Sequence, residues 1–571
     1  MRDRGACTAP HRLMTDTALQ RSFSMQAARR KVGRLWLFTA AVIALLVVTP
    51  ILALAWQALH GSSDLWPHLF AFVLPTALTQ TLILLCGVGI LVIFIGTGSA
   101  WLVTAYDFPG RGVLEWTLLL PLAVPTYIIA YAYLDILHPI GFVQGAIRAV
   151  LGYSSPRELR LPDIRSMTGC IILLGFVLYP YVYITTRAMF LTQAANLIEA
   201  ARTLGTRRSR IFWRIALPLA RPAIAVGVSL ALMEALNDIG ASEFLGIKTL
   251  TVSVYTTWIT RSDLPGAAQI ALAMLFLVIA LIVIERWARR RQRYSLTAQR
   301  NRSFTPQKLS VFAGSMAFLG GFIPVFIGFL APAAYLVMEA WKRFHLARLS
   351  GQLVSEAFNT VVISAVATAI VLIFGVAVAY AIRLRPGRFS AVAYRLSTIG
   401  YAAPGTVIAI GILIPIAALD QFIDRSAMGW LGVSTGLLLI GSGAALIYAY
   451  AVRFLAISAG AAEAGFSRIP ISFDQAARSL GQNATGTFRN VHLPLSKTAV
   501  AAAGLLVFVD CMKELPATLL LRPLNFETLA THLYGEAARG TYEEASIAAL
   551  AIVLIGTLPV IVLARVGRQK A

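Results

Sequence analysis

Four acidic residues stand where apolar segments end, and they come in matched pairs. Glu234 and Asp238 close one segment, and Asp510 and Glu514 close another 276 residues further on. An ionisable group at membrane depth is costly and faces a cavity or a partner. Carboxylate oxygens are hard ligands, so four of them near one axis would make a constriction suited to passing a cation. The plainer reading is helix-end solvation, with Lys513 neutralising Glu514. Nothing else in the chain suggests catalysis. There is no Gly-x4-Gly-Lys-Ser/Thr phosphate loop and no Gly-Lys pair at all. His60, His68, His138, His345 and His532 are scattered, and His492 lies apart from them. Cys7, Cys86, Cys170 and Cys511 form no CxxC pair. Neither a disulfide framework nor a fixed metal site is expected.

A second constellation is polar and occurs twice. The stretch EAARTLG at 199–205 returns as QAARSLG at 475–481. Asn196 suits a helix N-cap, and Glu199 follows at capping-box spacing. Residues 197–204 then make about two helical turns. Gly205 suits the left-handed residue that ends a helix. A second short helix is expected from about Ser209 to Ala216, with Pro218 opening the next apolar segment. The second copy has the same grammar: Ser472 as cap, Gln475 three residues on, Gly481 as terminator. The small Ala200, Ala201, Ala476 and Ala477 let another surface approach the backbone.

What holds these residues is a membrane. The chain has 571 residues, 58% hydrophobic and 13% charged, with a mean hydropathy of +0.74. This places it among membrane proteins rather than soluble domains. Its net charge of +23 then reads as a topology signal rather than a nucleic-acid footprint. Twelve segments meet the requirement of about 20 apolar residues. They are 35–56, 74–105, 113–136, 167–187, 218–237, 265–285, 310–337, 356–384, 396–417, 433–457, 495–516 and 545–564. With the N-terminus inside, inner segments carry 36 Lys and Arg and outer loops 12. That excess sets both termini and both repeated loops on the cytoplasmic side. The run at 35–56 is too long for a signal-peptide core of about 7–15 residues and reads as an uncleaved first span.

The halves align. At an offset of 276, Gly481 falls on Gly205, Pro494 on Pro218, Asp510 on Glu234 and Glu514 on Asp238. At 279, Thr360 falls on Thr81, Pro404 on Pro125, Thr528-Leu529 on Thr249-Leu250 and Tyr534 on Tyr255. A parallel repeat with a two-fold axis along the membrane normal follows. The expected organisation is a disordered tail at 1–34 and a first half at 35–285, with its core at 74–285. A basic linker at 286–308 and a second half at 309–571, with its core at 356–564, complete it. The fold class is all-α integral membrane, about 12 transmembrane helices in two six-helix halves.

The full spacing Glu-Ala-Ala-x3-Gly-x9-Ile-x-Leu-Pro at 199–218, with its variant at 475–494, resembles a known motif. It is similar to the cytoplasmic EAA loop of permease subunits of ATP-binding-cassette importers, the binding-protein-dependent, MetI-like family. The resemblance implies that each loop docks on one of two copies of a cytoplasmic ATPase subunit. The docking residues are then Glu199, Ala200, Ala201, Gly205, Ile215, Leu217 and Pro218, and Gln475, Ala476, Ala477, Gly481, Val491, Leu493 and Pro494. It implies that ATP and Mg are used by that subunit, while this chain binds no cofactor and is not an enzyme. It also implies a periplasmic substrate-binding protein docking on outer loops such as 137–166 and 238–264, a lipid environment in the bacterial inner membrane, no nucleic acid, and alternating access. The segments 235–258 and 511–534, above all KELPATLLLRP at 513–523, look like those of ferric-iron permeases with two fused halves. Fused thiamine and 2-aminoethylphosphonate permeases share the plan. An ion-coupled secondary transporter also has parallel halves but does not need two such loops.

Overall fold

The computed structural model describes residues 11–60, 65–192, 201, 205–206, 208–289, 306–346 and 350–568. The described chain is helical apart from a two-residue parallel pairing of Tyr106–Asp107 with Gln307–Lys308. The first helix begins at His11, within the stretch expected to be disordered. Among the described residues, twelve helical segments are long and apolar enough to be spans if one bent pair is counted as a span. Half one has Arg34–His60, Trp66–Ala105, the bent pair Arg111–Ala123 and Thr126–Ile136, Met167–Leu191, Phe212–Asn237 and Leu264–Trp287. Half two has Val311–His345, Gly351–Leu384, Gly405–Leu431, Ala444–Ser467, Ala484–Met512 and Tyr542–Ile561.

Two spans depart from the expected ranges for reasons that are local. Span three turns by 94° at its break. Pro125 holds an extended backbone there with φ −58° and ψ 145°, and it has no N–H to carry the helix through. Span nine starts at Gly405 instead of 396, because the matching Pro404 makes the same break. Span ten starts at Ala444 instead of 433. The apolar residues before it form a loop whose backbone is held by two acids of span nine. Asp424 accepts from the N–H of Thr435 at 2.7 Å and Gly436 at 3.0 Å. Buried Asp420 accepts from Leu439 at 2.9 Å and Ile440 at 3.0 Å. A buried backbone group must find a partner, and these carboxylates supply one without a helix.

Prolines also explain four π-turns. They end at Val73, Ala216, Leu330 and His492, each two residues before a proline: Pro75, Pro218, Pro332 and Pro494. A proline inside a helix clashes with the carbonyl four residues back. The extra residue of a π-turn moves that carbonyl away while keeping the helix continuous.

The first span of each half packs on the other half. Trp36 of span one meets Tyr380 at a ring distance of 5.0 Å and Phe488 at 5.6 Å. Further along, a Cβ on Gly411 would run into the Pro50 carbonyl. Reciprocally, span seven receives the Tyr133 hydroxyl on the Ile327 carbonyl at 2.7 Å. Its own Tyr335 hydroxyl donates to Asp135 at 2.7 Å. The chain accordingly divides into two compact units, each drawn from both halves. One comprises residues 1–49, 367–401 and 450–507, and the other 50–366, 402–449 and 508–571.

The second unit contains a two-fold relation between the halves. Asn237, ending span five, accepts from the Gly405 N–H at 2.8 Å. Lys513, the matched position after span eleven, accepts on its carbonyl from Tyr127 at 3.3 Å. Tyr255 and Tyr534, equivalent in the repeat, touch each other edge to face at 6.2 Å. Equivalent residues meet only where a symmetry axis passes between them.

Candidate functional site

The second repeated loop is fully described. Its helix runs Ile471–Ser479, with Pro470 as the preceding cap residue. Ser472 is therefore inside the first turn and does not cap, and Gln475 makes no capping box with it. Gln475 and Ala476 are exposed, whereas Ala477 is buried. The helix ends as expected. Gly481 has φ +84°, its N–H bonds the Arg478 carbonyl at 3.0 Å, and the next N–H, of Gln482, bonds Ala477 at 3.0 Å. These are the two bonds of a Schellman turn. The following helix begins behind Asn483, whose side chain accepts from Gly486 N–H at 2.7 Å. It then continues through the π-turn Phe488–His492 straight into span eleven, with Val491 half-buried and Leu493 and Pro494 exposed.

The first loop shows the same end. Gly205 has φ +75°, and Thr206 N–H bonds the carbonyl of buried Ala201 at 3.1 Å. Glu199, Ala200 and Asn196 lie outside the described residues. The expected short second helix is not separate here either. Arg208–Ile211, the π-turn Phe212–Ala216 and Leu217–Asn237 form one continuous helix, with Ile215, Leu217 and Pro218 half-buried. Under each loop lies the same aromatic trio. Trp101 meets Phe190 at 5.4 Å and Phe212 at 5.1 Å. At the equivalent places, Tyr380 meets Phe466 at 6.0 Å and Phe488 at 4.9 Å.

The acidic span ends divide into two kinds. Asp238 is buried and accepts from Thr126 Oγ1 at 2.6 Å, Ser242 N–H at 2.8 Å and Ser242 Oγ at 2.9 Å. Glu514 is buried and accepts from the N–H of Ala517 and Thr518, both at 3.0 Å, and from Thr518 Oγ1 at 2.8 Å. Both carboxylates thus close the short helices that follow the spans, Gly240–Phe244 and Pro516–Leu521. Glu234 and Asp510 are half-buried, and Lys513 pairs with Asp510 at 3.0 Å. The two capped segments approach one another: a Cβ on Gly240 would stand 3.3 Å from Leu515. Among the described residues, no three His, Cys, Asp or Glu side chains gather to hold a metal ion.

Residues 92–294 match the family of binding-protein-dependent transport system inner membrane components. This range takes in the first loop and the first acidic pair. The second loop and pair repeat them in sequence and in turn geometry. Over that range the chain is similar to this family. A Haemophilus influenzae Fe(3+)-transport system permease protein is 23% identical over 85% of this chain and 89% of its own length. A Sinorhizobium fredii probable ABC transporter permease protein is 24% identical over 84% of this chain and 85% of its own. The Escherichia coli molybdenum transport system permease protein is 29% identical over 34% of this chain and 84% of its own. The two long alignments span both halves, whereas the molybdenum permease is about the size of one.

Several residues that organise this chain carry no motif. Thr81 Oγ1 accepts from Leu250 N–H at 3.0 Å, and Thr360 Oγ1 accepts from Leu529 N–H at 2.9 Å. Gln80 receives Lys248 N–H at 2.6 Å, and Asn359 donates to the Glu527 carbonyl at 3.2 Å. In each half these bonds tie span two, or its counterpart span eight, to the segment after the penultimate span. The signal was present in the repeat: Thr81 with Leu250, and Thr360 with Leu529, all matched at the same offset. Asp474, Arg383 and His492 gave no such signal, because nothing in half one matches them.

Proposed function

We propose that this permease is the membrane subunit of an ATP-driven importer of ferric iron. The observation that carries the reading is the paired loop geometry. Both loops of the motif turn at a left-handed glycine, Gly205 and Gly481, after which the next N–H bonds the carbonyl five residues back, and a helix that continues without a break into a span begins at Arg208 in one and Ala484 in the other. A push on such a loop is a push on the span, because no flexible joint lies after the turn. The Ala-Ala-x3-Gly faces are the docking surfaces for two cytoplasmic ATPase subunits, which bind ATP and Mg. This chain contributes no catalytic residue. Both loops and both termini lie on the cytoplasmic side of the bacterial inner membrane, in keeping with the excess of basic residues there.

Substrate arrives on a periplasmic binding protein at the outer loops. ATP binding draws the two loops together and opens the permease outward, and hydrolysis returns it. Ferric iron is the cargo, not a resident ion. The long alignment with a ferric-iron permease supports this choice. Glu234 and Asp510 are the acidic groups proposed to line the path. Asp238 and Glu514, whose oxygens are taken up as caps, hold open the breaks beside it. Uptake of radiolabelled ferric iron into proteoliposomes holding the permease, its ATPase and its binding protein tests the reading. Iron uptake that depends on ATP supports it. Uptake of molybdate, thiamine or 2-aminoethylphosphonate instead, with none of iron, overturns the substrate. A Glu234→Gln/Asp510→Asn double variant with undiminished uptake retires the path.

A further inference from the structure

The second loop is anchored by charge as well as by its aromatic trio. Asp474 lies in the first turn of the helix Ile471–Ser479. Its Oδ2 accepts from Arg383 Nη2 at 2.7 Å, and its Oδ1 accepts from His492 Nε2. Arg383 stands at the end of span eight and also donates to the carbonyls of Phe466 and, at 2.9 Å, Ile469. His492 is buried in the π-turn that leads into span eleven, with its ring 5.3 Å from that of Tyr380. One carboxylate therefore joins the loop helix to two spans, in a setting where Arg383 and Asp474 keep only 16% and 14% of their side-chain surface exposed.

Half one cannot build this. Thr104 takes the place of Arg383, and its hydroxyl donates to Ala100 of its own helix at 2.6 Å. Ala216 takes the place of His492 and Ile198 that of Asp474. None of the three carries charge. A charge-assisted pair with a planar guanidinium fixes direction as well as distance. An apolar contact fixes neither, so Thr104, Ile198 and Ala216 cannot supply the same anchor.

We propose that Asp474, Arg383 and His492 form a latch that locks the second coupling helix to spans eight and eleven, an anchor that the residues at the three matched positions of half one cannot make. The second coupling helix acts as a rigid lever. Asp474 is a positioning residue. The latch follows from the geometry alone, whereas its effect on transport rests on the reading of these loops as ATPase contacts.

The test uses the whole importer in lipid nanodiscs, with hydrogen exchange read at 201–206 and 471–482. Asp474→Asn keeps the shape and removes the charge. The expected result is amide exchange about tenfold faster at 471–482 and unchanged at 201–206. Substrate moved per ATP is expected to fall several-fold, and Asp474→Glu to restore both readouts. Unchanged exchange at 471–482, or an equal rise in both loops, overturns the latch. Faster exchange confined to 471–482 with undiminished transport per ATP upholds the latch and overturns the coupling reading. If Asp474→Asn does not fold, Arg383→Lys is measured in the same way. It keeps the charge and loses the fork, so a rise confined to 471–482 is again required.

Discussion

Beneath the second loop the ring that touches both phenylalanines is Tyr380, and beneath the first it is Trp101. The hydroxyl of Tyr380 donates to the Ala484 carbonyl at 2.6 Å, next to the Schellman turn. Among the described residues, the Trp101 ring makes no matching bond. The aromatic bed is thus common to both platforms, while the polar additions, Tyr380, Arg383, Asp474 and His492, belong to one. The difference teaches that a repeat can keep its aromatic packing and its glycine turn while one copy gains directional polar bonds. Packing sets where the loop lies, and directional bonds set how far it can move.

The comparison can be tested at its strongest point first. Tyr380→Ala removes a fully buried ring and a hydrogen bond, and truncating a buried aromatic costs about 3–5 kcal/mol. Trp101→Ala, at a half-buried ring, is expected to cost less. Melting temperatures of the two purified variants check the order, and the reverse order would break the account. Next come the shared bonds. Thr81→Val and Thr360→Val each leave a buried N–H, of Leu250 or Leu529, without its acceptor, at about 1–3 kcal/mol each. Equal losses of thermal stability are expected, and a clearly unequal pair would show that the halves differ here too.

The turns should also behave alike. Gly205→Ala and Gly481→Ala meet no neighbouring atom, so each costs only the left-handed backbone strain of about 1–2 kcal/mol. Local exchange at 205–206 and 481–482 should rise together. The smallest effect lies away from the loops. His532 Nδ1 faces Glu356 at 2.9 Å, and that hydrogen bond holds the His532 pKa above its ordinary value, against the opposing effect of burial. A raised folded pKa contributes stability that is fully present below the unfolded value of about 6.5. That stability is lost as pH rises through the folded value. His532→Gln should therefore lower the melting temperature at pH about 6 and much less at pH about 9. An equal drop at both would remove the ionic contribution.

Much of the architecture was legible in the chain. Twelve spans and both loop-ending glycines follow from residue type, because apolar length and a left-handed residue are local requirements. The prolines gave the breaks at Pro125 and Pro404 only in part, since the same residue is absorbed by a π-turn at Pro218 and Pro494. The capping box at Ser472 failed because Pro470 starts the helix earlier. The apolar run at 433–443 misled because buried Asp420 and half-buried Asp424 satisfy a loop that hydropathy cannot distinguish from a helix.

By itself, then, the sequence determined the membrane class, the duplication and the two matched loops, since each depends on neighbours within about one span. Only the tertiary structure decided that spans one and seven exchange partners, that Tyr255 meets Tyr534 across the axis, and that Asp474 finds Arg383 and His492. Those contacts join residues up to 452 positions apart, as Trp36 and Phe488 are. Distance along the chain carries no information about which side chains close on one another when the helices pack.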